Sequence, residues 1–191
     1  MITVSIIGTG RMGKAIGGVL AAGGATVGYV GRGAPASEVN GEIVVLATPY
    51  AAVDELVAAY GPQLADKVVV DISNPLDFDT FDALVVPADG SAAAQIAARL
   101  PEAKVLKAFN TTFAATLVDK VVGPATTTVL VAGDDGDSKA ALIELVRDGG
   151  LEALDAGKLK RARELEALGF LQLTLAAGEQ IGWTGGFALV R

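Results

Sequence analysis

Two patterns of apolar and polar residues follow each other in turn along the chain. Short apolar runs of strand length are followed by longer stretches in which apolar residues recur every three or four positions, which is typical of a parallel sheet covered by helices on both faces. We therefore expect an α/β fold, a Rossmann-like doubly wound parallel sheet in a single domain spanning residues 1–191. Strands are predicted near residues 2–7, 25–30, 43–47, 67–72, 103–108, 127–132 and 151–154. Helices are predicted near residues 11–22, 50–60, 91–99, 138–148 and 159–178.

The link between the second and third predicted strands is short. Only the twelve residues GRGAPASEVNGE separate Val30 from Ile43. A mononucleotide-binding sheet usually fits a helix, a third strand and another helix into this interval. We therefore expect the outer edge strand to be missing. The strand at 25–30 then becomes the edge, and 43–47 returns beside the first strand after a crossover turn near 34–40.

The sequence GTGRMG, directly after the first strand, matches the dinucleotide-binding fingerprint. Gly8 would allow the tight turn, Gly10 the approach of a pyrophosphate, and Gly13 close packing of helix against strand. The N-terminal amides of the following helix favour an anion. The alternative is a merely glycine-rich turn. The predicted cofactor-binding residues of this loop are Gly8, Thr9, Gly10, Arg11, Met12 and Gly13.

The second strand ends in Gly31-Arg32, where an NAD-binding unit usually carries Asp or Glu for the ribose hydroxyls. A carboxylate would repel a 2'-phosphate on that ribose, whereas a guanidinium would bind it through charge-assisted hydrogen bonds. The sequence therefore predicts NADP rather than NAD, with Gly31, Arg32 and Thr9 near the phosphate. The alternative is that Arg32 is a solvated charge at the edge of a loop.

Polar turns follow three further predicted strands, in the segments LATPY, DISNPLDF and KAFNTTFAA. In an open parallel sheet the ligand lies outside the carboxyl ends of the strands, so these turns should converge on it. The first turn is expected over the pyrophosphate, with Ala47, Thr48 and Pro49. The other two are expected around the nicotinamide, with Ser73, Asn74, Pro75, Asn110, Thr111 and Thr112. Turn-forming and helix-capping roles are the alternative for Ser73, Asn74 and Thr111.

The amino-acid composition excludes several kinds of catalytic site and binding partner. The chain has no cysteine and no histidine, which excludes disulfides, thiolate or imidazole metal sites and histidine acid–base catalysis. Its net charge of -7 argues against nucleic-acid and anionic-membrane partners, although the first 37 residues carry three basic and no acidic side chains, as suits a small anion. The longest uncharged stretch, residues 15–31, contains six glycines and is too short and broken to cross a bilayer. With no signal peptide in view, we expect a cytoplasmic protein.

No residue is predicted to act as an acid or a base. None of the three tyrosines is followed by a lysine four positions later, so the Tyr-x-x-x-Lys proton donor of short-chain dehydrogenases is absent. Direct hydride transfer between two bound cofactors requires that their rings are aligned and that water is excluded, but it requires no acid or base from the protein.

The order of the motifs GTGRMGKAI, VGR, LATPY, SNPL, KAFNTTFA, VAGDD and LDAGKLKRARELE resembles the NADPH-dependent coenzyme F420 reductases (F420H2:NADP oxidoreductases), in a short bacterial-type form. That family is similar in turn to the cytoplasmic reductase domain of the six-transmembrane epithelial antigen ferric reductases. The resemblance covers almost the whole chain, and its later motifs are the specific ones.

The resemblance implies that Thr9 and Arg32 hold the 2'-phosphate, that Asn110 and Thr112 lie between nicotinamide and deazaflavin, and that Tyr50 stands near the deazaflavin. Gly31 and Ala36 replace a serine and a lysine of archaeal members, which would weaken discrimination against NAD.

The expected activity is hydride transfer between C4 of NADPH and C5 of F420. The alternatives are a flavin or ferric reductase that uses FMN or FAD, and a non-catalytic NADP-sensing protein. Residues 158–191 are expected to form a C-terminal helix and tail. The tail, with Trp183 and Phe187, would line the second-cofactor pocket or a homodimer interface; the alternative is that these aromatics cap the core.

Overall fold

A seven-stranded sheet organises the fold in the computed structural model, which describes residues 1–190. Its strand order is β2-β1-β3-β4-β5-β8-β9. The strands are β1 Thr3–Ile7, β2 Thr26–Val30, β3 Ile43–Leu46, β4 Val68–Asp71, β5 Lys104–Lys107, β8 Thr128–Gly133 and β9 Glu152–Gly157. A separate small hairpin consists of β6 Val121–Val122 and β7 Ala125–Thr126. The predicted Rossmann-like α/β fold is confirmed.

Helices cover both faces of the sheet. They are α1 Arg11–Ala22, α2 Val53–Leu64, α3 Ala92–Arg99, α4 Ala114–Asp119, α5 Gly136–Asp148 and α6 Ala162–Ala177. The strand β3 shows how the two layers arise, because Ile43 and Val45 pack with α1 and α5 whereas Val44 and Leu46 pack with α2 and α3. All four side chains are buried, so β3 reads as a continuous apolar run, as expected for a central parallel strand.

The missing edge strand is confirmed. β2 pairs only with β1, and β3 returns to the other side of β1 in register, with Val4 opposite Ile43. The connecting residues 31–42 hold a single 3₁₀ turn, Ala36–Glu38. The edge of the sheet beside the glycine loop is therefore open.

One part of the predicted topology is wrong. The five strands from β2 to β5 are parallel, but β8 pairs with β5 antiparallel, and β9 follows β8. The reason lies in the connection, because a parallel crossover usually runs through a helix long enough to pack across the sheet. Between β5 and β8 the chain forms only the six-residue α4 and the β6–β7 hairpin, neither of which the sequence pattern predicted.

Two predicted helices begin later than expected. Residues 50–52 and 159–161 form 3₁₀ turns, Tyr50–Ala52 and Leu159–Arg161, and the helices α2 and α6 start after them. Helix α6 ends at Ala177 and is capped by Gly178, and the tail beyond it runs without regular structure to residue 190. No helix within residues 1–190 is both long and apolar enough to span a lipid bilayer.

Candidate functional site

The glycine loop joins β1 to α1 in a conformation that only glycine adopts readily. Gly8 has φ +121°, and its amide donates to the carbonyl oxygen of Val30 at 3.0 Å. A side chain on Gly8 would collide with the backbone carbonyl of Ala47, and one on Gly13 would collide with that of Gly8. Gly10 precedes α1, and no atom lies within 4 Å of where its Cβ would stand. The free amides of the first turn of α1 thus face open space, and that turn contains no acidic residue to compete with an anion.

A groove of about 590 Å³ opens along the ends of β1, β2 and β3. We call it the dinucleotide groove, because its floor is the glycine loop and one end is Arg32. It contains the predicted cofactor-binding residues Gly8, Thr9, Gly10, Gly31, Arg32, Ala47, Thr48 and Pro49. The opposite wall comes from the end of the 3₁₀ turn before α2 and from α2 itself. It consists of Ala52, Glu55, Leu56, Ala59 and Tyr60, none of which the sequence analysis singled out.

Arg32 stands on a tight turn at the end of this groove. The amide of Ala34 donates to the carbonyl oxygen of Gly31 at 3.2 Å, and Gly33 has φ +74°, so Arg32 occupies the second position of a turn that needs glycine at its third. The Arg32 side chain is exposed and has no ion pair within residues 1–190. Its guanidinium is therefore free to bind an anion that enters the groove.

A second cavity, of about 430 Å³, adjoins the groove and shares Ala47, Thr48 and Pro49 with it. We call it the central cavity, because it lies where the ends of β3, β4 and β5 meet. Its predicted lining residues are Tyr50, Ser73, Asn74, Asn110 and Thr112. The others are Met12, Ile72, Phe78 and Leu173, of which Met12 was expected at the dinucleotide instead.

Three unpartnered polar atoms belong to residues that line the central cavity. Within residues 1–190, four buried side-chain polar atoms have no hydrogen-bond partner, and three of them are Thr48 Oγ1, Ser73 Oγ and Asn110 Oδ1. Ser73 is 5% exposed and Asn110 is 4% exposed. Leaving a buried polar atom unpaired costs about 1–3 kcal/mol, so their concentration beside one cavity marks a place where a water molecule or a polar ligand would stabilise the lining.

A reciprocal pair of amide side chains joins the ends of β4 and β5. Asn110 Nδ2 donates to Asn74 Oδ1 at 2.9 Å, and Asn74 Nδ2 donates to the backbone carbonyl of Asn110 at 2.9 Å. Asn110 Nδ2 also donates to the carbonyl oxygen of Leu165 in α6 at 2.8 Å. The cavity wall is therefore tied to α6. Gly169 permits this approach, because a Cβ there would collide with both amide side chains.

The turn after β5 is held in an unfavourable backbone conformation. Phe109 is fully buried and has φ +64°, a left-handed value that is rare for an aromatic residue. Thr112 stabilises the turn by donating from Oγ1 to the carbonyl of Phe109 at 2.8 Å. Such strain concentrates at functional sites, and here it places Asn110 and Thr112 at the cavity.

Tyr50 contributes its ring to the central cavity but not its proton. Its hydroxyl donates to Gln95 Oε1 at 2.5 Å, and burial raises the pKa of Tyr50 above its ordinary value. The phenol therefore stays protonated at neutral pH and bound to Gln95.

A buried ionic cluster lies beneath the cavity, and the sequence analysis missed it. We call Lys107, Asp71 and Glu166 the buried triad; all three are at most 1% exposed. Lys107 Nζ lies 2.7 Å from Asp71 Oδ2 and 2.9 Å from Glu166 Oε1. Burial raises the pKa of Glu166, and the Lys107 ammonium opposes that rise. The signal available in the sequence was a lysine and an aspartate at the ends of neighbouring apolar strands, where charged side chains are seldom buried without partners.

Five predicted site residues lie outside both linings. Gly13 is buried in α1, where it packs against the backbone of Gly8. Arg11 is exposed at the start of α1, while Pro75 and Thr111 are buried behind the turns that carry their neighbours. Trp183 is 53% exposed, and its ring packs on that of Phe113 with the centroids 5.1 Å apart. Since Phe113 directly follows Thr112, the tail touches the turn after β5 rather than the cavity itself.

Comparison with known proteins gives relatives along most of the chain, although no protein-family model matches it. The F420-dependent NADP reductase of Methanocaldococcus jannaschii is 33% identical over 133 residues, covering 68% of this chain and 59% of that protein. The metalloreductase STEAP3 of Rattus norvegicus is 36% identical over 108 residues, covering 56% of this chain and 20% of that protein. The chain therefore spans less than two thirds of the length of these curated relatives.

A solved structure matches over the full length. It is that of a candidate F420-dependent NADP reductase from Arthrobacter sp. FB24, which superimposes with a TM-score of 0.86 at 29% identity and covers 100% of both chains. By sequence and by structure, the chain belongs to the same family as the F420-dependent NADP reductases.

Proposed function

We propose that the protein is an oxidoreductase that passes a hydride between NADPH and the deazaflavin coenzyme F420. The observation that carries the proposal is the junction of the two cavities. The dinucleotide groove and the central cavity share the wall formed by Ala47, Thr48 and Pro49, and the second of them has three unpartnered polar atoms in its lining. A dinucleotide in the groove would extend its nicotinamide past this wall into the central cavity.

The residues of the groove fit NADP. The amides at the start of α1 would bind the pyrophosphate, and the open space beside Gly10 leaves room for it. Thr9 and the unpaired guanidinium of Arg32 would bind the 2'-phosphate. The wall from α2, with Leu56 and Ala59, would contact the adenine.

The central cavity fits two flat rings stacked against each other. Its lining is mostly apolar, with Tyr50, Phe78 and Leu173 supplying walls, and Ser73 and Asn110 supplying polar atoms for ring substituents. With both cofactors bound, the chemistry would be hydride transfer from C4 of NADPH to C5 of F420, with one proton taken up from the bulk solvent. The chain's own contribution is to align the rings and exclude water, because no titratable side chain among the lining residues is free to transfer a proton.

The acceptor assignment rests on the relatives, since F420 is named for the archaeal and Arthrobacter proteins. A flavin or ferric reductase is the alternative, and the partial match to a metalloreductase supports its metal-reducing form. A homodimer that covers the exposed tail residues Trp183 and Phe187 is part of the proposal, because the domain itself leaves each about half exposed.

The experiment that tests the proposal mixes purified protein with NADPH and, in separate cuvettes, F420, FMN and FAD, and follows NADPH oxidation. We expect turnover with F420 and NADPH, and little with NADH. Oxidation of NADPH with FMN or FAD but not with F420 would identify the protein as a flavin reductase instead. NADPH binding without turnover by any acceptor would favour an NADP sensor, and absence of NADPH binding would refute the proposed groove.

A further inference from the structure

The buried triad makes contacts that a purely structural ion pair would not need. Lys107 Nζ donates to the carbonyl oxygen of Ser73 at 2.5 Å, and Asp71 Oδ1 accepts from the amide of Ser73 at 2.9 Å. Both backbone polar groups of Ser73 are thus held by the charged triad. Ser73 is the residue whose side-chain oxygen is left unpartnered at the central cavity.

Glu166 connects the same cluster to two helices. Its Oε2 accepts from the amide of Ala92 at 2.8 Å and its Oε1 from that of Ala93 at 3.3 Å, so it binds the free amides that begin α3. Glu166 also lies next to Leu165, whose carbonyl binds the side chain of Asn110. The triad therefore joins β4, β5, α3 and α6 at the floor of one cavity.

The energetics argue against stability as the reason for the triad. Burying two carboxylates and one ammonium costs desolvation free energy that their mutual attraction often only offsets. Apolar residues of equal size often stabilise a fold as well or better. The triad gives something that apolar side chains lack, namely directional bonds that fix the backbone on both sides of Ser73.

From these contacts we infer that Lys107 is a positioning residue for the electron acceptor: with Asp71 and Glu166 it fixes Ser73, and through Ser73 the shape of the central cavity. The inference rests on the proposed function, because the acceptor is taken to bind there. Lys107 touches neither cavity, and its effect on the acceptor passes through the Ser73 backbone.

The test is the variant Lys107→Met, which keeps the length of the side chain and removes its donor. Its matched control is Lys139→Met, because Lys139 is also buried and also paired, with Asp155 at 2.8 Å, but lines neither cavity. We expect Lys107→Met to raise the KM for F420 by about ten-fold or more, as misplacement of a binding wall does, while the Kd for NADP+ stays within about two-fold. Lys139→Met should leave both constants unchanged.

An unchanged KM for F420 in Lys107→Met would overturn the inference, and so would an equal loss of NADP+ affinity, which would indicate general damage. If Lys107→Met does not fold, the double variant Lys107→Met/Glu166→Gln, which also removes a carboxylate left unpaired, replaces it with the same expected result.

A measurement on the unaltered protein separates this inference from the proposed function. The Ser73 amide, bonded to the buried Asp71, should exchange its proton far more slowly than the amide of Asp79 in the same loop, whose hydrogen bond to Asp77 Oδ1 is exposed to solvent. NMR records both rates. A Ser73 amide that exchanges as quickly as that of Asp79 overturns the inference whatever the variants do. Failure of the wild-type protein to reduce F420 would refute the proposed function. The exchange rate of the Ser73 amide would still show whether the triad fixes the backbone of Ser73.

Discussion

The hydroxyl of Tyr60 donates a hydrogen bond to the backbone carbonyl of Ala34 at 2.9 Å. Tyr60 is a buried residue of α2, and Ala34 closes the turn on which Arg32 stands. Since the edge strand that would normally brace this loop is missing, this bond from α2 fixes the loop in its place. This hydrogen bond links the core of the protein to the turn that carries Arg32, the residue proposed to bind the 2'-phosphate.

Replacing Tyr60 with Phe should therefore reduce selectivity for NADP. The lost hydrogen bond is worth about 0.5–1.5 kcal/mol, and we expect a similar loss in NADPH binding, about 2- to 10-fold, with little change for NADH. Titration calorimetry with both cofactors measures the ratio. Tyr29→Phe is the control, because Tyr29 is exposed on β2 and lies outside the groove lining. Equal losses for NADPH and NADH would show that Tyr60 only shapes the groove.

Arg32→Ala tests the phosphate contact itself. A charge-assisted hydrogen bond contributes about 1.5–3 kcal/mol, so NADPH affinity should fall about 10- to 150-fold while NADH affinity is almost unchanged. Added salt should weaken NADPH binding to the wild-type protein more than to the variant, because the guanidinium is exposed. Parallel losses for both cofactors would mean that Arg32 does not bind the 2'-phosphate.

Much of this arrangement could be read from the sequence, since the glycine loop, the short crossover and the polar turns depend on residue type and spacing. The shift of β8 to an antiparallel position could not, because α4 and the β6–β7 hairpin are too short to leave a periodic pattern. The positive φ of Phe109 is imposed by tertiary packing against its intrinsic preference. Lys107 and Glu166 lie 59 positions apart, so their pairing leaves no local signal.

Gly169→Ala should destabilise the protein, although alanine is normally preferred in a helix. The added Cβ would enter the space of the Asn74 and Asn110 amide groups. The control is Gly18→Ala, at an exposed position of α1 where nothing lies within 4 Å of the new Cβ; it should stabilise by about 0.5–1 kcal/mol. Thermal melts should therefore shift in opposite directions. A rise in Tm for both variants would show that α6 can move away from the amide pair at no cost.

Asp135 should make stability depend on pH. It precedes α5, and its Oδ1 accepts from the amide of Ser138 at 2.8 Å. Hydrogen bonds from the Ser138 side chain and backbone hold the pKa of Asp135 below its usual value. Because the folded pKa is the lower one, the stabilisation is present above the unfolded value of about 3.8 and is lost as the pH falls through the folded value.

Denaturant melts of wild type and Asp135→Asn should therefore differ at pH 7, with the variant less stable, and converge only as the pH falls below the folded pKa of Asp135. Asn can still cap α5 but carries no titrating charge. Asp89→Asn, at an exposed position before α3, is the control and should follow the wild type throughout. A constant difference between wild type and Asp135→Asn over the whole range would assign the effect to the shape of the cap rather than to its charge.

Removal of the tail, residues 183–191, should affect the reaction with F420 but not the binding of NADPH. Two contacts that join the described part of the tail to the domain are the Trp183–Phe113 ring contact and the hydrogen bond from the amide of Phe187 to Gln172 Oε1 at 3.2 Å. Phe113 follows Thr112, which lines the central cavity, whereas no tail residue up to position 190 lines the dinucleotide groove. We expect NADPH affinity to stay nearly intact and hydride transfer to F420 to be abolished. The control is a chain ending after Phe187, which keeps both contacts and should retain turnover. A protein without residues 183–191 that still reduces F420 at the wild-type rate would exclude the tail from the acceptor site, and one that unfolds would assign it to the core.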